Sequence, residues 1–277
     1  QAIAHVGRPD EAHLRYAESL IGTLPAALHW AAREPYGARA LVYALILDRD
    51  AAVSRRQLAF LREAAEPGLG EHTAYLLGSL RRTRREHHLP LVDLCMPALR
   101  QLSADQYRAF RAKLETLIGM DSRIDLFEWC LSRILVFGLA PDFGEHQAPA
   151  AAHDTCASLP RECALVFSLL AQGTASGGHD AAASFAAARA RAGLADLEPV
   201  APQAIDHRAL DLALRELARL KPAAKRDLLE ACAAGILADE RVTPAELEVL
   251  RAFAAVIDCP MPPILLPVPV RPGGHGG

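Results

Sequence analysis

Aromatic residues are scarce. Phe, Trp and Tyr together make 5% of a chain that is 51% hydrophobic. The core must therefore come mainly from Leu, Ala, Val and Ile, and this Leu- and Ala-led composition favours helix over strand. Lysine is nearly missing, with Lys113, Lys221 and Lys225 the only three, while arginine is plentiful. Together with the alanine content, that bias is the mark of GC-rich coding. An excess of positive charge is also missing: 33 acidic residues face 30 basic ones, for a net charge of -3. That balance excludes a broad basic face for nucleic acid. No stretch approaches the roughly 18 consecutive apolar residues of a membrane span. No two of the six cysteines have the two-residue spacing of a zinc knuckle. No His is followed by Glu, so the H-E-x-x-H zinc-protease helix is absent. Nucleophile elbows, P-loops and G-x-G-x-x-G turns are absent too.

What remains is helical periodicity. The 277 residues suffice for one large or two modest helical domains. Over 10–22, Leu14, Ala17, Leu20 and Ile21 share one face. Pro25 can open the next helix and Pro35 close it. Further helices are expected near 36–48, 54–65, 70–82, 90–102, 104–119 and 124–138, then 206–220, 222–237 and 244–256. The Ala- and Arg-rich stretch 181–192 is a helix by propensity. Pro141, Gly144 and Pro149 break the pattern, as do Gly177 and Gly178. The expected organisation is an N-terminal helical domain over 1–140, a linker or long loop over 141–160, a C-terminal helical domain over 161–265 and a disordered tail over 266–277. Cys95, Cys130 and Cys232 fall within apolar helical patterns, which reads as buried thiols in a reducing compartment.

One internal repeat stands out. Residues 98–137 align with 216–255 without a gap, with eight identities in 40 positions. They include Leu99/Leu217, Leu102/Leu220, Ile118/Ile236, Asp121/Asp239, Glu128/Glu246 and Arg133/Arg251. Each copy predicts a helix, a short acidic turn and a second helix. A weaker third copy spans 40–61, with Asp48 in its turn and Ser54 opening its second helix. Asp125 and Glu128, Thr243 and Glu246, and Ser54 and Gln57 are each three apart, the spacing of a capping box. Pro244 suits a first helical position. The rival reading of the turns is a cation site formed by Asp121, Asp125, Asp239 and Glu246. The turns lack the dense oxygen ligands and central glycine of a calcium loop, so capping is the stronger reading.

Arg81, Arg82, Arg84 and Arg85 form a basic run followed by His87 and His88. A solvated helix end, its positive charge complementing the macrodipole, is the plainest account. A membrane-surface contact is the main rival. His72, His146, His153, His179 and His275 lie near expected loops or ends, and adjacent His87 and His88 cannot share one helix face. Trp30 and Trp129 sit among apolar neighbours, where core or groove packing is expected.

Several segments resemble a region found downstream of the catalytic domain in bacterial HtpX-type membrane zinc metallopeptidases. They are 34–50 (EPYGARALVYALILDRD), 89–110 (LPLVDLCMPALRQLSADQYRAF), 121–131 (DSRIDLFEWCL) and 226–246 (RDLLEACAAGILADERVTPAE). The opening at His5–Pro9 and the run from Cys259 to Pro263 are similar too. The paired helices also resemble TerB-like helical domains. The resemblance implies an all-α fold of antiparallel helix hairpins, TerB-like, in two or three copies joined by a long linker. It implies a non-catalytic module with no cofactor of its own. The zinc and its H-E-x-x-H helix would belong to a peptidase domain before Gln1, together with the membrane-spanning helices. The implied partner is that domain or another protein, and the implied place is the cytoplasmic face of the bacterial inner membrane. The alternative is a stand-alone TerB-like scaffold in a membrane-stress or surface-associated complex.

Overall fold

The computed structural model describes residues 22–84, 87–120, 126–145, 150–175, 180–238 and 244–259. Among them are twelve α-helices and no strand. The chain is all-α. The first group runs α1 (Ala26–Ala31), α2 (Pro35–Leu45), α3 (Ala51–Ala64), α4 (Leu69–Leu80), α5 (His88–Leu99), α6 (Ala104–Ile118) and α7 (Leu126–Leu139). The second runs α8 (Pro160–Ala175), α9 (Ala181–Arg191), α10 (His207–Leu217), α11 (Pro222–Ile236) and α12 (Pro244–Val256). None of these helices is long and apolar enough to cross a membrane.

The helices start where backbone chemistry lets them. Pro35, Pro222 and Pro244 each sit in a first turn, where the missing N–H is no loss. Asp50, Asp180 and Asp206 accept backbone N–H groups at the starts of α3, α9 and α10. Pro35 therefore opens α2, where the sequence suggested only a closing role. The turn before it is tight: a Cβ on Gly37 would lie 2.6 Å from the Ala31 carbonyl oxygen. The expected helix over 10–22 and the tail over 266–277 lie outside the described residues.

In the first half α2 is the central helix. Every residue from Gly37 to Leu45 is buried, and α1, α4 and α5 pack around it. Its Arg39 is buried as well and forks onto Glu66, with Nη1–Oε1 at 2.7 Å and Nη2–Oε2 at 2.9 Å. The Arg39 guanidinium holds the Glu66 carboxyl below the usual carboxylate range. In the second half α8 is central, with α9, α10 and α11 against it. Gly235 lets α11 approach α9 closely. A Cβ there would lie 3.0 Å from the Ser184 carbonyl oxygen, and the Ser184 hydroxyl donates to the Gly235 carbonyl.

One apolar core runs through both halves. At the junction α7 lies against α12. Trp129 of α7, 2% exposed, lines a small apolar cavity together with Val166, Leu170, Leu214 and Phe253. Two ion pairs flank this contact, Arg133–Asp211 at 3.1 Å and Arg251–Asp93 at 3.6 Å. Between the halves, 150–159 follows 219–224. Ala152 and His153 donate to the Arg219 carbonyl, Lys221 donates to the His153 carbonyl, and Cys156 is buried.

The helix bounds follow the spacing of the expected repeat. Residues 104 to 118 form α6, and the residues 118 positions further on, 222 to 236, form α11. The starts of α7 and α12 keep the same spacing, as do the ends of α5 and α10. The two ion pairs join residues in the same relation: Arg251 stands 118 after Arg133, and Asp211 stands 118 after Asp93.

Two expectations need correction. Ser54 does not open a helix: α3 begins three residues earlier at Ala51, capped by Asp50. Gln57 serves elsewhere, accepting from the Asp48 N–H and donating to the Leu117 carbonyl, both at 2.9 Å. Ser54 lies buried with no partner for its hydroxyl among the described residues. The reciprocal capping box is at Ser103 and Gln106. Trp30 is not packed in the core; it is 69% exposed on a six-residue helix that buries Leu28 and Ala31.

Candidate functional site

The site that can be built from the described residues is an open cleft of about 400 Å³ where several helix ends meet. Leu45 and Leu47 close the end of α2, and Leu80 and Arg81 the end of α4. His88 comes from the start of α5, and Glu128 from the first turn of α7. Asp48 and Arg49 reach in from the turn between α2 and α3. That turn is built by hydrogen bonds. Asp48 accepts from the Asp50 N–H at 2.6 Å, and Asp50 accepts from the Ala52 and Val53 N–H groups at 2.7 and 3.1 Å. The latter two bonds hold the Asp50 carboxyl below its ordinary range.

The electrostatics follow from the helix ends. Two helix C-termini bring the negative ends of their dipoles here, and Arg49 and Arg81 complement them. Glu128 sits at a helix start, where negative charge is favoured. An apolar floor with both signs of charge at its rim matches a peptide segment better than a ligand of one charge. The sequence marked Asp48 as a turn residue and the arginine run as a helix end. It gave no sign that Asp48 and Arg81 line one cleft, because they stand 33 residues apart in the chain.

The four acidic residues of the rival cation site are not brought together by anything described. Asp121, Asp125 and Asp239 lie outside the described residues. Glu246 is 7% exposed in the first turn of α12, and its expected capping partner Thr243 lies outside the described residues. Among the described residues no group of three or more His, Cys, Asp and Glu could hold a metal ion.

The cysteines are free, and all but the half-buried Cys259 are buried. Cys163 donates to the Cys156 carbonyl at 3.7 Å, and Cys156 to the Ala224 carbonyl at 3.7 Å. Hydrogen bonding to the Cys156 sulfur and burial push the Cys163 thiol up. Burial pushes up those of Cys95 and Cys232. These three are packing groups rather than nucleophiles at neutral pH. The basic run ends α4 as expected: Arg81 is its C-cap, and Arg81, Arg82 and Arg84 are exposed. His87 is buried, hydrogen-bonded to the Thr23 hydroxyl at 3.0 Å and the Arg84 carbonyl at 3.2 Å. Comparison with protein families, characterised proteins and solved structures gives no match to this chain.

Proposed function

We propose that the chain is a non-catalytic helical module that binds a protein partner, and that the partner is the peptidase domain of an HtpX-type membrane zinc metallopeptidase to which it is appended. The observation that carries the binding role is the single core running through α7 and α12, flanked by the Arg133–Asp211 and Arg251–Asp93 pairs. Such a body is a platform: it holds the cleft between α2 and α4 at a fixed place without needing another domain to shape it. The choice of partner rests on the resemblance of 34–50, 89–110, 121–131 and 226–246. On this reading zinc and hydrolysis belong to the adjoining domain, and this chain presents or restrains substrate at the cytoplasmic face of the membrane.

The alternative is a TerB-like scaffold built from an internal duplication. The 118-residue spacing that relates α5–α6–α7 to α10–α11–α12 favours the duplication. The reciprocal ion pairs favour it further. In each, an Arg of one copy meets an Asp of the other, the pattern of a two-fold self-complementary interface. The gene upstream of Gln1 separates the two readings. Apolar spans and an H-E-x-x-H helix in the same reading frame support the appended module. An initiation codon within a few residues of Gln1 removes the peptidase and leaves the scaffold.

A further inference from the structure

Two of the exposed large side chains share one side of the first half. Trp30 on α1 is 69% exposed, and Tyr75 on α4 is 63% exposed. One exposed ring alone is ordinary on a protein surface; two on adjacent helices beside exposed arginines make a candidate patch. The helices that carry them lie alongside each other. At one end Thr23, just before α1, bonds His87, just after α4, at 3.0 Å. At the other end Tyr36, just after α1, meets His72 in the first turn of α4, with ring centroids 5.7 Å apart. His72 in turn stacks on Tyr75 at 6.1 Å. The exposed positions follow the helical repeat: Ala26, Trp30 and Arg33 along α1, and Glu71, Tyr75, Gly78 and Arg82 along α4.

Charge completes the pattern. Arg82 and Arg84 are exposed at the α4 end of this face, and Arg33 at the α1 end. Among the described residues the exposed acids nearby are Glu34, Glu66 and Glu71; Glu66 pairs with Arg39 at 2.7 Å and Glu71 faces Arg62 at 3.5 Å. Neither ring lines the cleft between α2 and α4. They stand on the outer faces of two helices, as rings do at a lipid interface, rather than in a recess that would grip a side chain of another protein.

We propose that the α1–α4 face is a peripheral membrane-docking surface: Trp30 and Tyr75 enter the headgroup region of a bilayer while Arg33, Arg82 and Arg84 meet anionic lipid phosphates. Trp and Tyr partition to that layer because one part of each ring system is apolar and the other carries a polar handle. Arginine next to an anionic leaflet adds attraction that salt screens. The inference needs no peptidase, so it stands or falls apart from the partner proposed above. It also puts a lipid contact on this chain itself, the rival reading of the arginine run, where the family resemblance placed membrane-spanning helices before Gln1.

The test uses the whole 277-residue chain with phosphatidylcholine vesicles that contain or lack phosphatidylglycerol. Trp129 is buried, so quenching by aqueous iodide reports Trp30. In the free chain Trp30 is expected to be open to iodide. Phosphatidylglycerol vesicles at low salt are expected to shift its emission to the blue and shield it, and Trp30→Phe is expected to lose that change. The double reversal Arg82→Glu, Arg84→Glu should weaken sedimentation with these vesicles by about tenfold or more. Trp30→Ala with Tyr75→Ala should weaken it while helix content and melting temperature hold. Three results overturn the proposal: no sedimentation with anionic vesicles, unchanged sedimentation of both variants, or a Trp30 already shielded in the free chain, which would mean that another part of the chain covers this face.

Discussion

Arg39 shows how one buried charge organises its surroundings. It sits on the central helix of the first half and places both guanidinium nitrogens on Glu66, with Nε donating to the Pro35 carbonyl at 3.3 Å. Burying an arginine requires that its donors be met, and here carboxylate and backbone meet them. Glu66 itself remains 48% exposed, so water screens the pair and its contribution is modest. Glu66→Gln should lower stability by about 1 kcal/mol at neutral pH. Because the folded-state pKa of Glu66 is depressed, this stability is present above the unfolded value of about 4.3 and is lost as pH falls through the folded value. Denaturation midpoints of wild type and Glu66→Gln should therefore converge on acidification. A difference that persists or widens in acid would contradict the assignment. Nothing in the sequence foretold this pair, since an Arg in an apolar run reads as a helix residue with no preferred partner.

Helix starts were the most legible elements, and they also show where reading fails. Pro222 and Pro244 mark the starts of α11 and α12, and both helices keep the expected extent. The expectation at Ser54 missed because spacing alone does not make a cap. Ser54 and Gln57 have the right separation, but Asp50 lies upstream and its carboxylate takes the first free N–H groups. Ser103→Ala should accordingly destabilise the protein by about 1 kcal/mol, through loss of its reciprocal cap. Ser54→Ala should be neutral or slightly stabilising, because it removes a buried hydroxyl that has no partner. Thermal melting of the two variants checks the contrast, and equal losses would restore the cap at Ser54. Trp30 was misread for a related reason. A Trp among apolar neighbours looks like core, but α1 is too short to bury more than one stripe, and Leu28 and Ala31 occupy it. The cleft was illegible because its walls are ends of helices distant in sequence, and periodicity carries information only about faces.

At the scale of the molecule the two halves form one body. The sequence suggested an internal repeat over 98–137 and 216–255, but that window began after Asp93 and so left out the acids that answer Arg133 and Arg251. Pairing across the junction is long-range and leaves no local signal. A body with one core through both halves is expected to unfold as a unit, since Trp129 lines an apolar cavity with residues of the second half. The direct measurement is equilibrium unfolding in denaturant of a Trp30→Phe chain, followed by Trp129 emission and by far-ultraviolet circular dichroism. The account predicts one coincident transition. Phe253→Ala, in the second half, should move both signals together by about 3 kcal/mol. Circular dichroism that falls in two steps, with Trp129 following only one of them, would contradict it.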